Sequence, residues 1–461
     1  MMRLATFLVA IGMFLMCFSS VFSEAAVMAW QQSGGTIGSE RINLQVQASS
    51  VSGQIGIAGY TDQEVNKLIE SWNGKAAYSI KGSFPLKADN RQKEVNTAGI
   101  GGDYSDFTSI LLDRGSMISK ASIERRDQVV VISDSLADYL FGSADVLGKE
   151  LFIRDKKFRI IGIYRSENNL MEWMTKGVRP EALLPSTVFA DLSPESRVGT
   201  ILLEASGDAL LNGEAEVHKA LMDNNLSVET YKIRIGEKSL RLIQQLPRLL
   251  PALTGILTLV LGLMWMRRIA GGTYSRMKLA LQIGDSNEVM KRERFYMLKQ
   301  MLSFFAIGVS TAVLVLLARF SFFIPAEYIP GRWIDLSFFK TKLFQHWQEQ
   351  PALFGHMLPY QLMEDRLNSY IPVVAAIGLL LGLPLFLLGI REWRIIALPT
   401  SDRFIRLFYC IAACYLVLGL ALLLLGLPQL ISPGLWGSLF GFSLFMAAYR
   451  QPNRKDDYVE Y

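Results

Sequence analysis

Two charge-free apolar runs, residues 5–22 and 249–266, bracket a segment that contains no run of that kind. Each run approaches the roughly 20 residues a helix needs to cross about 30 Å of hydrocarbon. Hydrocarbon offers no water to satisfy backbone N–H and C=O groups, so uninterrupted apolar runs of this length cross as helices. A folded domain, residues 24–247, must therefore sit between two membrane helices. Further apolar runs follow at 301–318, 371–390, 407–426 and 432–449, the last weakened by three glycines and Ser438. Six spans are expected. At 51% hydrophobic residues over 461 positions, the chain is too apolar for an ordinary soluble protein.

Lysine and arginine in short loops set the orientation, because positive charge stays on the cytoplasmic side. The segment 267–299 holds Arg267, Arg268, Arg276, Lys278, Lys291, Arg292, Arg294 and Lys299 against Asp285, Glu288 and Glu293. Residues 391–406 add Arg391, Arg394, Arg403 and Arg406. These segments and the tail 450–461 are expected inside, 24–247 outside, and both termini in the cytoplasm of a multi-pass plasma-membrane protein. The net charge of +5 is then mostly a topology signal and weak support for nucleic-acid binding. Ser23-Glu24-Ala25 loosely resembles a signal-peptide cleavage site. The apolar run before it exceeds a signal-peptide core, which favours a retained anchor. The cysteines Cys17, Cys410 and Cys414 all fall in apolar runs, so the outer domain has no disulfide and depends on its core.

That outer domain alternates strands and helices. Residues 41–47 alternate polar and apolar, as a half-buried strand does. Residues 61–72 open on a Thr-Asp cap and place Val65, Leu68 and Ile69 on one helical face. Residues 128–132 read as a buried strand, followed by a helix capped at Ser133-Asp134-Ser135 and stopped at Gly142. Lys149–Ile153 and Phe158–Tyr164 read as a hairpin around Asp155-Lys156. Residues 199–204 are a strand and 212–224 a helix. The expected fold is an α+β domain of two subdomains, inserted into a multi-span helical membrane protein.

The order of short motifs in this domain is specific. Gly101-Gly102-Asp103-Tyr104 and Phe107 lead to Arg114-Gly115. Val129–Ile132 follows, then Ala137, Leu140-Phe141-Gly142, Gly148-Lys149 and Phe158–Ile163, which contains Gly162. Later comes Ala182-Leu-Leu-Pro-Ser186. This sequence resembles the extracytoplasmic core domain of MacB/FtsX-like ABC transporter permeases. The resemblance implies that Gly102, Asp103, Phe107, Gly115, Leu140, Phe141, Gly142, Gly148, Lys149 and Gly162 specify the fold and not a ligand site. It implies residues 1–23 as the first membrane helix and 24–247 as the outer domain. Residues 248–320 then hold helices two and three, with a coupling loop at 267–299. The apolar runs themselves add an aromatic-rich outer loop at 321–369 and helices four to six at 370–449, the last two beyond the four spans of the usual family plan.

In the family the first cytoplasmic loop lies against the ATPase subunit. Here Ser275-Arg276 and Gln282-Ile283-Gly284-Asp285-Ser286 fit that frame, whereas Met277-Lys278-Leu279 replaces the usual acidic stretch. The resemblance makes Arg276, Leu281, Gln282, Ile283, Gly284, Asp285 and Ser286 the ATPase-coupling residues. Met277, Leu279, Ala280 and Leu281 suit docking into a partner groove. The alternative is a basic amphipathic segment lying on anionic lipid.

No G-x-x-x-x-G-K-[ST], H-E-x-x-H, CxxC or G-x-S-x-G motif is present. No catalytic residue, metal or cofactor is expected in this chain; ATP is expected on a separate ABC ATPase subunit. His346 and His356 share the outer loop with Glu349, Glu364 and Asp365, which read as solvated side chains before they read as metal ligands. The loop's aromatics suggest an interfacial helix. The reading is a permease subunit, homodimeric or paired with another permease. It would turn ATP hydrolysis into movement of the outer domain, for export or extraction of an amphiphile or for control of an extracytoplasmic protein partner. An ATPase-independent receptor or scaffold is the alternative.

Overall fold

The computed structural model describes residues 2–46, 48–49, 56–57, 59–88, 91–165, 170–175, 178–207, 209–283, 286–325, 328–329, 337–338, 340–341, 358–429 and 432–449. Most of the aromatic-rich loop and the tail 450–461 therefore lie outside the described residues.

The outer domain is organised by one ten-stranded sheet. Its order is Tyr231–Ile235, Arg41–Val46, Thr200–Glu204, Ala76–Ala88, Arg91–Gly102, Ala182–Pro185, Val129–Ser133, Lys156–Tyr164 and Leu112–Gly115, with Glu150–Ile153 pairing Ala76–Ala88 and Lys156–Tyr164. The sheet runs continuously through the domain expected as two subdomains. Its longest pair, Ala76–Ala88 with Arg91–Gly102, was not among the sequence expectations. Local signals hold elsewhere. Thr61 and Glu64 form a capping box before Asp62–Ser71, and Ser133 accepts from Leu136 N to cap Asp134–Phe141. Arg154 and Asp155 both take positive φ at the hairpin turn, as a two-residue turn between twisted strands requires.

Arg41–Val46 departs from the half-buried strand expected: all six residues are buried. Ile42, Leu44 and Val46 enter the apolar core with Tyr78, Ile201 and Leu203. Arg41, Asn43 and Gln45 point the other way and are at most 1% exposed. The second face holds a smaller core of Ala77, Ala98, Ile100, Phe107, Leu202 and Leu358. Leu358 immediately precedes a membrane helix, so the chain from the bundle returns to cover this face.

Among the described residues, five helices are long and apolar enough to cross a membrane, and a shorter apolar helix, Pro433–Ala448, follows them. The first, Met2–Gln32, extends beyond the boundary expected at residue 23. It runs through the middle of the bundle, with Val9, Met13, Met16, Cys17 and Trp30 fully buried. Glycines let it approach its neighbour: a Cβ on Gly12 would lie 2.3 Å from Phe386 N, and one on Gly389 2.7 Å from Val9 N. Close backbone approach of this kind is how helices associate in lipid, where the hydrophobic effect gives no drive.

The segment expected as a coupling loop, 267–299, is almost entirely helical. Gly236–Ile283 is a single helix of 48 residues, and Ser286–Leu317 runs back alongside it. At 1.5 Å per residue the first measures about 72 Å, more than twice the hydrocarbon thickness of about 30 Å. The first helix is therefore longer than a membrane crossing requires, with Pro247 and Pro251 within it. The charge in 267–299 marks water-exposed helix, not irregular chain. The next helix begins at Pro359 rather than 370 and continues through a π-turn at Gly378–Gly382 into Leu383–Ile395.

Candidate functional site at the domain–bundle junction

Three chain segments converge where the sheet meets the helices. Tyr231–Ile235 passes into the Gly236–Ile283 helix without a loop. It pairs with Arg41–Val46, which follows the first helix after a turn. The Pro359–Ile377 helix starts beside both. Gly236 permits this crowding, since a Cβ there would lie 2.8 Å from Ser39 O and 2.9 Å from Arg41 Cγ.

Charged side chains tie the three segments together. Arg41 is 0% exposed; its Nε donates to Gly38 O at 2.6 Å, and its guanidinium lies 3.9 Å from the Tyr360 ring centroid. Burial lowers its pKa, opposed by the nearby Tyr360 and Glu364. Tyr360 also stacks on Trp30 at 5.0 Å, and Trp30 Nε1 donates to Tyr360 O at 3.1 Å. Glu364 is 3% exposed and accepts from Ser239 Oγ at 2.7 Å. Arg234 donates to Asp365 at 2.7 Å and reaches to 4.0 Å from Glu364. The knot thus joins the first helix, the Gly236 helix, the Pro359 helix and the edge of the sheet. Removing one member of such a desolvated cluster leaves the others without their partners.

Glu364 and Asp365 were expected as solvated loop acids. The structure puts them on a helix, with Glu364 enclosed; His346 and His356 lie outside the described residues. The spacing of Met363, Leu367 and Ile371, all buried, was the available signal, since a four-residue repeat marks a helix face. Arg41 and Arg234 carried no local signal.

The far end of the helical hairpin holds Arg276, which pairs with Glu293 at 3.1 Å and lies 4.0 Å from the Tyr296 ring centroid. Leu279 and Leu281 are 61% and 48% exposed there, and Gln282 is exposed. Gly284 and Asp285 lie outside the described residues, as do the side chains of Ile283 and Ser286.

The remaining motif residues sit at turns and in the core. Gly102 and Gly115 have φ of +69° and +83°, and a Cβ on either would lie 2.1 Å from a carbonyl oxygen, Ala76 O and Ile161 O respectively. Gly142 ends its helix in the left-handed region, and Gly148 also takes positive φ. Gly162 packs against Ser116 O. Phe107 and Leu140 are buried. Asp103 pairs with Lys120 at 2.9 Å, and Lys149 lies over the Phe141 ring at 5.3 Å.

Residues 4–217 match the family model of the MacB-like periplasmic core domain. The macrolide export ATP-binding/permease protein MacB of Aggregatibacter actinomycetemcomitans is 28% identical over 114 residues, covering 25% of this chain and 17% of that protein. Its namesake in Chlorobium luteolum is 22% identical over 249 residues, 52% of this chain and 36% of that protein. The Bacillus subtilis ABC transporter permease YvrN is 27% identical over 93 residues, 20% of this chain and 22% of that one. The chain thus spans well under half the length of these curated relatives. The crystal structure of the periplasmic region of MacB from Actinobacillus actinomycetemcomitans covers 45% of this chain and 94% of its own, at 18% identity and a TM-score of 0.37.

Proposed function

Because this chain is a MacB/FtsX-like membrane protein, with a MacB-like periplasmic core domain on an ABC-permease bundle, we propose that it converts ATP hydrolysis into movement of that domain. The ATPase is a module not present among these 461 residues, engaged at the far end of the helical hairpin. Its closure tilts the Gly236–Ile283 helix, and the buried knot at the opposite end turns that tilt into a change of sheet posture. The observation that carries the reading is the continuity of one helix from exposed Leu279 and Leu281 to strand Tyr231–Ile235. The work done is export or extraction of an amphiphile, or control of a partner outside the membrane, by a dimer of permease chains. Arg276, Leu281, Gln282, Ile283, Gly284, Asp285 and Ser286 are the proposed coupling residues.

The test is copurification in mild detergent with the ABC ATPases of the same cell, scoring nucleotide-dependent association and ATP hydrolysis. The expected result is a stable complex in which Leu281→Glu lowers ATP turnover at least tenfold while membrane abundance is unchanged. Absence of any complex would shift the weight to a receptor or scaffold.

The proposed orientation has its own check. Cys17, Cys410 and Cys414 are buried, so a cysteine at exposed Leu211 or Tyr274 can be read with an impermeant thiol reagent. Leu211→Cys should label in intact cells with the outer envelope opened, and Tyr274→Cys only after the inner membrane is permeabilised. The reverse pattern would invert the topology.

A further inference from the structure

The first helix and Thr400–Leu424 run side by side, and a groove of about 480 Å³ opens between them, within the ordinary range of about 300–1,000 Å³ for small-molecule sites. Each helix contributes one face. Thr6, Ala10 and Phe14 line the groove on the first helix, and Arg406, Ala413 and Val417 line it on the other; spacings of four and seven keep side chains on one side of a helix. Ala10 and Ala413 are too short to fill the space between the two backbones. Arg406 is the only charged side chain among the described lining residues, and it stands at one end. Neutral groups place it: Nη1 donates to Thr6 Oγ1 at 3.3 Å and Nη2 to Met2 Sδ at 3.4 Å. The Thr6 hydroxyl is itself held, donating to Met2 O at 3.1 Å and accepting from Trp393 Nε1 at 3.3 Å. Both contacts of Arg406 are longer than the roughly 2.7–2.9 Å of a charge-assisted bond, and no acid pairs with it among the described residues. Asp402, one turn earlier on the same helix, accepts from Ser401 Oγ at 3.4 Å instead. An apolar groove therefore ends at a half-buried cation whose charge is not neutralised.

The groove has the length of one leaflet. From Arg406 to Val417 a helix rises about 17 Å, against about 15 Å for half of the hydrocarbon thickness. Both helices begin at the charged end, so the leaflet that surrounds their N-terminal ends is the one that faces the groove. Arginine at such a depth reaches back toward the headgroups along its apolar stem. A lipid of that leaflet would meet Arg406 with its headgroup and the two alanines with its acyl chain.

We propose that this groove binds one anionic phospholipid, its phosphate on Arg406 and one acyl chain between Ala10 and Ala413. Arg3, exposed one turn before Thr6, supplies a second cation at the same end. The lipid completes the contact between the first helix and Thr400–Leu424. The site is independent of the ATPase reading, and its test uses no ATPase. The full-length chain, stripped of lipid in mild detergent, is mixed separately with phosphatidylglycerol or phosphatidylcholine and examined by native mass spectrometry. One retained phosphatidylglycerol per chain is expected, with phosphatidylcholine retained less. Arg406→Gln should lower phosphatidylglycerol retention about fivefold, the usual effect of one basic side chain at an anionic surface, and leave phosphatidylcholine unchanged. Ala413→Phe, at an exposed position, fills the groove and should lower retention at least tenfold. Both variants should keep the wild-type elution profile; if Arg406→Gln does not, Ala413→Phe decides. Equal retention of the two lipids by the wild-type chain, or retention unchanged in folded Ala413→Phe, would overturn the site. A dimer that retains no lipid would give the groove to a second copy of the chain, and a monomer that retains none would leave it without the proposed ligand; either result overturns the site.

Discussion

Replacing Glu364 by alanine is expected to destabilise the protein by about 3–5 kcal/mol, the usual cost of removing one partner from a buried ion pair. Glu364 is 3% exposed and Arg41 0%. Arg234 would keep Asp365 at 2.7 Å, but buried Arg41 would lose the Glu364 charge that opposes its desolvation and stay enclosed against Tyr360. Glu364→Gln should cost less, because its carbonyl can still accept from Ser239 Oγ. Asp365→Ala is the contrast. Its side chain is 36% exposed, and pairs of that kind contribute about 0–1 kcal/mol. Thermal unfolding in one detergent ranks the three. A Glu364→Ala loss no larger than that of Asp365→Ala would remove the knot as the tie between domain and bundle. The double change Arg41→Met with Glu364→Leu separates stability from coupling. Replacing interacting buried charges together by apolar side chains is often neutral, so this variant should fold while any ATPase-driven movement of the domain is weakened.

The membrane helices were legible because apolar length is a direct physical requirement. Several domain elements were legible because their ends are written locally, in Thr61, Ser133 and Gly142. The Ala76–Gly102 hairpin was not, although Tyr78, Ile80, Phe84, Leu86 and Ala88 alternate with Ser79, Lys81, Ser83 and Lys87, because Gly82 and Pro85 are residues that strand interiors usually exclude. The segment 267–299 was read as a loop from its charge, yet a helix pair projecting into water keeps a polar surface without losing its backbone hydrogen bonds. The junction was the least legible part. Arg41, Arg234 and Glu364 lie far apart in sequence, and each has the appearance of an ordinary surface charge until the fold removes its water. The motif glycines behaved differently: Gly102 and Gly115 stand where backbone meets backbone, which is a requirement of fold that a sequence pattern can carry.

Gly12→Val should disrupt the bundle more than any other single substitution in the first helix. A Cβ there would meet Phe386 N at 2.3 Å, Phe386 Cα at 2.7 Å and Gly382 O at 2.8 Å. All three are backbone atoms, so no side chain can swing aside and the two helices must part. Parting them opens the rest of the seam. Gly378 would bring a Cβ within 2.0 Å of Ser19 Oγ, Gly382 within 3.0 Å of Met16 N, and Gly389 within 2.7 Å of Val9 N, so each of these contacts exists only at the present spacing. Overpacking typically costs about 1–3 kcal/mol, and a clash of backbone with backbone belongs at or above the top of that range. The expected result is a sharp fall in monodisperse protein and a melting temperature well below wild type. Gly419→Val supplies the control. It makes the same change in another apolar helix, Thr400–Leu424, at a position where a Cβ meets nothing within 4 Å. Its effect should stay within about 0.5 kcal/mol. If the two variants melt alike, the first helix is not clamped along its glycines. If only Gly12→Val fails, the helix that carries Trp30 into the junction is fixed along its length, and a shift at the far end of the bundle cannot dissipate before it reaches the sheet.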